Sequence, residues 1–170
     1  MVYHIKVIII GESGVGKTSL VKKFISSYFS KDYRVSIGTN LYVKELLLKS
    51  GNNVTIQIWD IAGQEKWIKM RHFYYKGAHG ALIVGDITRG NTFEQLKEFW
   101  NQDLKKYCGD IPKILVVNKV DLNRIISNND IEKLAQDIDV EATIFTSAKN
   151  GQNVENAFHQ IAEAIITSKE

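Results

Sequence analysis

The chain has 170 residues, 44% of them hydrophobic and 24% charged, as in ordinary soluble globular proteins. Its net charge is +3, with Lys and Arg scattered along the chain, so charge gives no argument for binding nucleic acid or an anionic membrane. The single Cys108 excludes an internal disulfide, and no apolar run approaches the ~20 residues of a membrane-spanning helix. We therefore expect one domain, residues 1–170, that is monomeric and binds no nucleic acid.

Apolar segments with strand-like and helix-like spacing alternate along the chain. YHIKVIII is a β-branched run that leads through a glycine-rich loop into the helical pattern KTSLVKKFISSYF. LYVKELLLKS and VTIQIWD flank GNN, which predicts an antiparallel hairpin. GALIVGDI, KILVVNKV and EATIFTSA indicate three more strands, with the helical patterns TFEQLKEFWNQDLKKY and NVENAFHQIAEAIITS between and after them. This order predicts an α/β fold: a six-stranded, mostly parallel sheet with one antiparallel edge strand, flanked by about five helices.

The loop GESGVGKT, Gly11 to Thr18, fits the pattern G-x-x-x-x-G-K-[ST] and lies between a predicted strand and helix. Its glycines allow backbone N–H groups to surround phosphates at the positive end of the helix. Lys17 is expected to reach the β- and γ-phosphates, and the Thr18 hydroxyl to bind Mg²⁺. The motif indicates phosphate and metal but not which base. The predicted nucleotide-binding residues of this loop are Ser13, Gly14, Val15, Gly16, Lys17, Thr18 and Ser19.

Two short motifs that follow predicted strands indicate which base is bound. NKVD follows the strand KILVV, and a carboxylate there can accept hydrogen bonds from N1–H and the N2 amino group of guanine, which adenine lacks. SAK ends the last strand, where a backbone N–H can donate to O6. Each motif alone is more often an ordinary loop, but both after a phosphate loop indicate guanine. The predicted base-binding residues are Asn118, Lys119, Asp121, Ser147, Ala148 and Lys149.

With these motifs, the sequence resembles the Ras superfamily of small GTPases over nearly its whole length. WDIAGQE and YYKGAHG are most similar to the Rab family. The resemblance implies a P-loop NTPase G domain that hydrolyses GTP slowly and switches between GTP and GDP forms with Mg²⁺. It also implies effectors, an exchange factor and a GTPase-activating protein that bind switch I (about 30–40) and switch II (about 61–75), in membrane trafficking or signalling.

The second switch carries the residues expected to support hydrolysis. Asp60 ends a strand and is expected to hold Mg²⁺ through a water. Gly63 can bring its N–H to the γ-phosphate, and Gln64 resembles the family's water-orienting glutamine, the predicted catalytic residue. No arginine is obviously placed in cis. Arg34 and Arg71 lie in the switch segments and could contribute such a charge, but we expect both to be solvated on the surface.

In the first switch, RVSIGTN offers two hydroxyls, Ser36 and Thr39. In the family, an aromatic residue seven positions earlier packs on guanine, and the metal-binding hydroxyl precedes Ile-Gly or Ile-Glu. Counting back from Ser36 reaches Phe29, whereas counting back from Thr39 reaches Asp32. The resemblance therefore assigns Mg²⁺ to Ser36, and nucleotide contacts to Phe29 and Tyr33, with Thr39 at the start of the next strand.

The resemblance also locates surfaces for partner proteins. The family's aromatic triad corresponds to Leu41, Trp59 and Tyr74, so one aromatic is replaced by an aliphatic residue. Trp67 is a large aromatic in a polar loop, and we expect it to anchor a partner.

Two other functions remain open from the sequence. One is a GTP- or GDP-binding interaction module with little hydrolysis and no tie to membrane traffic. The other is a P-loop kinase or ATPase, against which NKVD and SAK argue. The last residues, AEAIITSKE, hold no cysteine for prenylation. We therefore expect no lipid anchor in this chain and a cytoplasmic location, peripheral to membranes if a lipidated tail exists beyond it.

Overall fold

The computed structural model describes residues 1–26, 41–61 and 70–170, and the backbone alone of residues 34–35. The strands are β1 Val2–Ile10, β2 Arg34–Val35, β3 Leu41–Leu47, β4 Asn53–Asp60, β5 Gly80–Asp86, β6 Lys113–Asn118 and β7 Ala142–Phe145. The helices are α1 Lys17–Ser26, α2 Arg71–Tyr75, α3 Gly90–Gln95, α4 Asn101–Cys108, α5 Asn128–Asp137 and α6 Val154–Lys169. A π-helical turn, Leu96–Trp100, joins α3 and α4, so the one helix predicted there is a continuous helical run.

The strands form a sheet in the order β2-β3-β4-β1-β5-β6-β7. β1 is parallel to β4 and β5, and β6 is parallel to β5 and β7. β3 is antiparallel to β4, as the hairpin pattern predicted. The predicted six-stranded, mostly parallel sheet is confirmed by the six longer strands. The two-residue β2 pairs with the outer side of β3, so the antiparallel strand has a short neighbour there.

Helices cover both faces of the sheet, which explains the unbroken apolar runs of β5 and β6. Alternate residues of these strands enter opposite cores: Leu82 and Val84 lie in one, Ala81 and Ile83 in the other. The first core includes α1 and α6, whose Phe24 and Phe158 rings stack with centroids 4.2 Å apart. The second includes the continuous helical run and α5. Within the described part of the chain, no helix has the length and apolar character needed to cross a membrane.

The carboxyl ends of the parallel strands meet at one edge of the sheet. The register pairs Ile9 of β1 with Asp60 of β4, and Asp86 of β5 with Asn118 of β6. Because the strands run in one direction, the polar residues that end them lie together with the phosphate loop after β1. This edge therefore holds the candidate site.

Candidate functional site

Glycine is required at two positions of the phosphate loop. Gly11 has φ +147°, and a Cβ there would lie 2.4 Å from the Val84 carbonyl oxygen. Gly16 has φ +103°, and its Cβ would lie 2.3 Å from Asn118 Nδ2. Both positions combine a backbone conformation that other residues rarely adopt with contact too close for a side chain. The loop is thus pressed against β5 and β6.

Lys17, the first residue of α1, is buried and points back into the phosphate loop. Its ammonium donates to the carbonyl oxygens of Gly11 and Glu12, both at 2.9 Å. Burial lowers the pKa of Lys17 to about 8, although the nearby carboxylates of Asp60 and Glu12 act to raise it. A buried cation that is held by two backbone carbonyls of the phosphate loop suits the oxygens of a phosphate.

Thr18 and Asp60 lie side by side next to this lysine. The Thr18 hydroxyl donates to the Asp60 carboxylate. Burial raises the pKa of Asp60, and the bond from Thr18 and the charge of Lys17 offset only part of that rise. A hydroxyl and a carboxylate oxygen in contact are ligands that Mg²⁺ prefers, so the residues present fit the expected metal ion.

Asn118 joins the phosphate loop to the two base-binding motifs. Its side chain is buried, and Nδ2 donates to the Val15 carbonyl at 2.9 Å. Its Oδ1 accepts from the Thr146 hydroxyl at 3.0 Å and from the Ala148 N–H at 3.2 Å. Both ends of this amide thus bond to protein groups, and it connects three loops. Direct contact of Asn118 with guanine stays a prediction.

The predicted guanine carboxylate, Asp121, is exposed and is held by the neighbouring SAK motif. Ser147 Oγ donates to Asp121 Oδ1 at 2.8 Å. Ser147 Oγ also accepts from the Asn150 N–H at 3.2 Å, which fixes the serine rotamer. The structure thereby brings NKVD and SAK together, with Lys149 exposed on the same loop.

Asp86 and Arg89 belong to the site, and the sequence interpretation missed them. Lys119 Nζ lies 2.8 Å from Asp86 Oδ2 and donates to the Gly14 carbonyl at 2.8 Å. Burial would raise the pKa of Asp86, but hydrogen bonds from Lys119, Thr88 and Arg89 hold it below its usual value. A carboxylate at the end of a parallel strand was the available signal, because the same position singled out Asp60 and Asn118.

Arg71 corrects one expectation. It is buried, and its Nε lies 2.8 Å from Asp103 Oδ2, both side chains being at most 10% exposed. Its guanidinium also lies over the Phe99 ring, 4.7 Å from the centroid. The predicted surface role of Arg71 is therefore wrong, because α2 packs against the helical run and a carboxylate there pairs with the arginine.

The residues of the expected triad lie in contact. The β3–β4 register pairs Leu41 with Trp59, and the Trp59 and Tyr74 rings meet edge to face with centroids 5.8 Å apart. All three side chains are half-buried, and both contacts include Trp59, so the three form one partly exposed surface. The remaining predicted residues lie outside the described residues: Phe29, Tyr33, Ser36, Thr39, Gly63, Gln64 and Trp67.

The sequence was also compared with known proteins. The Ras family profile matches residues 6–167. The chain belongs to the Ras family. Its relatives include Rab-1 of Theileria parva (37% identical, covering 96% of this chain and 74% of the relative) and human Rab-32 (38%, covering 96% and 75%). The Ypt/Rab-type GTPase YPT7 of Saccharomyces cerevisiae is 33% identical over 95% of this chain and 81% of its own.

These matches confirm the resemblance to Rab proteins and the assignment as a small GTPase, a hydrolase acting on GTP. Members of this family bind GTP and GDP and, in general, regulators and effectors. The alternative of a GTP- or GDP-binding interaction module with little hydrolysis and no tie to membrane traffic is not favoured.

Proposed function

We propose that this Rab-like GTPase is a GTP/GDP switch in intracellular membrane traffic. The observation that supports this most is the Asn118 amide, which joins the Val15 carbonyl of the phosphate loop to Thr146 and Ala148 beside SAK. Such a link holds phosphate-binding and guanine-binding groups at a fixed separation, as a guanine nucleotide requires.

In this proposal the chain's groups have separate tasks. Lys17 and the loop N–H groups bind the phosphates, and Asp121 reads the base. Thr18, Ser36 and Asp60 hold Mg²⁺, which when bound neutralises charge that develops on the phosphates. Gln64 orients the attacking water, helped by the Gly63 N–H at the γ-phosphate.

Partners are proposed to bind the two switches. The Leu41–Trp59–Tyr74 surface and Trp67 would contact effectors, and an exchange factor and a GTPase-activating protein would act on the same segments. The protein is proposed to be a cytoplasmic monomer, peripheral to membranes where a lipidated tail lies beyond these residues.

Base selectivity tests the nucleotide assignment. Binding of a fluorescent GDP analogue should be displaced by GDP and not by ADP. Asp121→Asn should weaken GDP binding and favour xanthosine diphosphate, whose C2 carbonyl accepts from the new amide where guanine needs an acceptor. The matched control Asp110→Asn removes an exposed carboxylate elsewhere and should keep wild-type binding. Equal displacement by ADP and GDP would refute the proposal.

Hydrolysis and the metal need their own measurements. Single-turnover hydrolysis of bound GTP should be far slower in Gln64→Leu than in wild type, and equal rates would favour a binding module. Ser36→Ala should lower the affinity of the GTP-bound protein for Mg²⁺, whereas Thr39→Ala should have little effect on it. The reverse result would assign the metal to the other hydroxyl.

A further inference from the structure

Two cations share one buried carboxylate beside the phosphate loop. Arg89 Nε lies 3.1 Å from Asp86 Oδ2, and Lys119 Nζ lies 2.8 Å from the same oxygen. Each cation also donates to a carbonyl of the loop: Arg89 Nη2 to Ser13 at 2.9 Å and Lys119 Nζ to Gly14 at 2.8 Å. Consecutive peptide groups are thus fixed from one side by a pair of charges held together by Asp86.

Fixing a carbonyl fixes the N–H of the same peptide. In a trans peptide the C=O and N–H point in opposite directions, so a bond to the Ser13 oxygen directs the Gly14 N–H to the other side of the loop. Gly14 has φ +79°, and glycine in this region has little intrinsic preference for one orientation. The Arg89 bond therefore supplies an orientation that the backbone itself does not impose.

Arg89 is well anchored for this role. Asp86 Oδ1 accepts from the Thr88 N–H at 2.8 Å and from its hydroxyl at 2.6 Å, which fixes the carboxylate. The Thr92 hydroxyl accepts from the Asp86 N–H at 2.9 Å and donates to the Arg89 carbonyl at 2.7 Å. The backbone of Arg89 and its partner carboxylate are consequently held by the same turn between β5 and α3.

We infer that Arg89 is a positioning residue for the nucleotide: it orients the Ser13–Gly14 peptide and steadies the Asp86–Lys119 pair, and so slows release of the diphosphate. The inference rests on the proposed function, because it assumes a guanine nucleotide in this loop. Arg89 acts on the phosphates indirectly, through the Ser13–Gly14 peptide that it orients. A guanidinium is needed for this role because Nε and Nη2 bond two different acceptors.

Release of a fluorescent GDP analogue, chased with excess GDP, measures this effect. Arg89→Met keeps the length of the side chain but loses both charged hydrogen bonds, and should release GDP about tenfold faster than wild type. Lys97→Met is the matched control, because it removes one charge from an exposed ion pair with Asp137 of α5, and Lys97 lies in the helical run that follows Arg89. It should release GDP at the wild-type rate.

Arg89→Lys separates positioning from bulk structure. An ammonium can bond Asp86 or the Ser13 carbonyl but does not reproduce the fork, so release should fall between wild type and Arg89→Met. Equal release by Arg89→Met and Lys97→Met, or no recovery in Arg89→Lys, would overturn the inference while leaving the proposed function intact. Failure of the wild-type protein to bind the GDP analogue would overturn both.

Discussion

Trp100 donates a hydrogen bond from Nε1 to Glu12 Oε1 at 2.9 Å, and this bond joins residues 88 positions apart. Glu12 lies in the phosphate loop, and Trp100 is the last residue of the π-helical turn. The indole of Trp100 is buried, and the Arg71 Cζ atom lies 5.8 Å from the centroid of its ring. A chain of contacts therefore runs from the phosphate loop through the helical run to α2, in the second switch.

Replacing Trp100 by Phe keeps most of the buried ring and removes the donor to Glu12. We expect the free energy of unfolding to fall by about 1–3 kcal/mol, since a hydrogen bond to a charged group is lost. Trp59→Phe is the control, because Trp59 Nε1 is buried without a hydrogen-bond partner among the described residues. Urea unfolding would measure both, and a larger loss in Trp59→Phe would contradict this interpretation.

Gly16→Ala should disable the site more than backbone strain alone explains. The added methyl would meet Asn118 Nδ2 at 2.3 Å and displace the amide that joins the loops. Gly51→Ala is matched, because Gly51 also has positive φ, +86°, but no atom of the described residues lies near its Cβ position. We expect Gly51→Ala to cost roughly 1 kcal/mol of stability and to keep GDP binding, and Gly16→Ala to lose GDP binding. Titration with fluorescent GDP distinguishes them, and similar affinities for the two variants would refute the clash argument.

Arg71→Met leaves the Asp103 carboxylate buried without its partner. We expect a loss of about 3–5 kcal/mol in the free energy of unfolding, as is typical for one half of a buried ion pair. In Lys97→Met, which breaks a pair whose side chains are 51% and 34% exposed, the loss should be much smaller, because solvent screens these charges. Chemical denaturation measures both, and equal losses would show that the burial of the Arg71 pair has no energetic consequence.

His79 gives the protein a specific sensitivity to acid. Its Nδ1 accepts the Lys6 backbone N–H at 2.8 Å. Burial, together with the charges of Lys169 and Lys6, lowers the pKa of His79 below its usual 6.5. Below about pH 6.5, His79 binds a proton in the unfolded chain more readily than in the folded protein. The free energy of unfolding therefore falls as the pH drops.

His79→Asn can keep an acceptor for Lys6 without a titrating group, so it should lose less stability than wild type between about pH 7.5 and pH 5.5. Urea midpoints at both pH values test this. His159, whose pKa is lowered chiefly by burial, should preserve some acid sensitivity in the variant. An unchanged pH dependence in His79→Asn would show that His79 is not responsible.

The elements that carry the site could be predicted because their patterns are local. GESGVGKT, NKVD and SAK each follow an apolar strand, and parallel strands place such loops at one edge. The hairpin around GNN was predicted for the same reason, since turn chemistry and flanking alternation lie within a few residues.

The contacts that hold these loops together could not be predicted in the same way. Periodicity indicates which face of a helix is buried but not which distant residue it meets, so Glu12 and Trp100 gave no sign of pairing. Arg71 was misjudged because a charged residue is usually exposed unless it has a partner, and Asp103 is 32 positions away. The π-helical turn likewise could not be predicted from the apolar pattern of the helical run.

The Asn118 amide has a consequence for how a ligand would leave. In the proposed complex, one loop would bind guanine and another would bind the phosphates. The Asn118 amide already links these loops through its hydrogen bonds to Val15, Thr146 and Ala148. When one end of the nucleotide dissociates, it would stay close to the loop that bound it, at a high effective concentration, and would rebind. In the proposed complex, departure would require both ends to detach together, and the buried Asn118 amide would give the site the property of a chelator of a ligand with two binding groups.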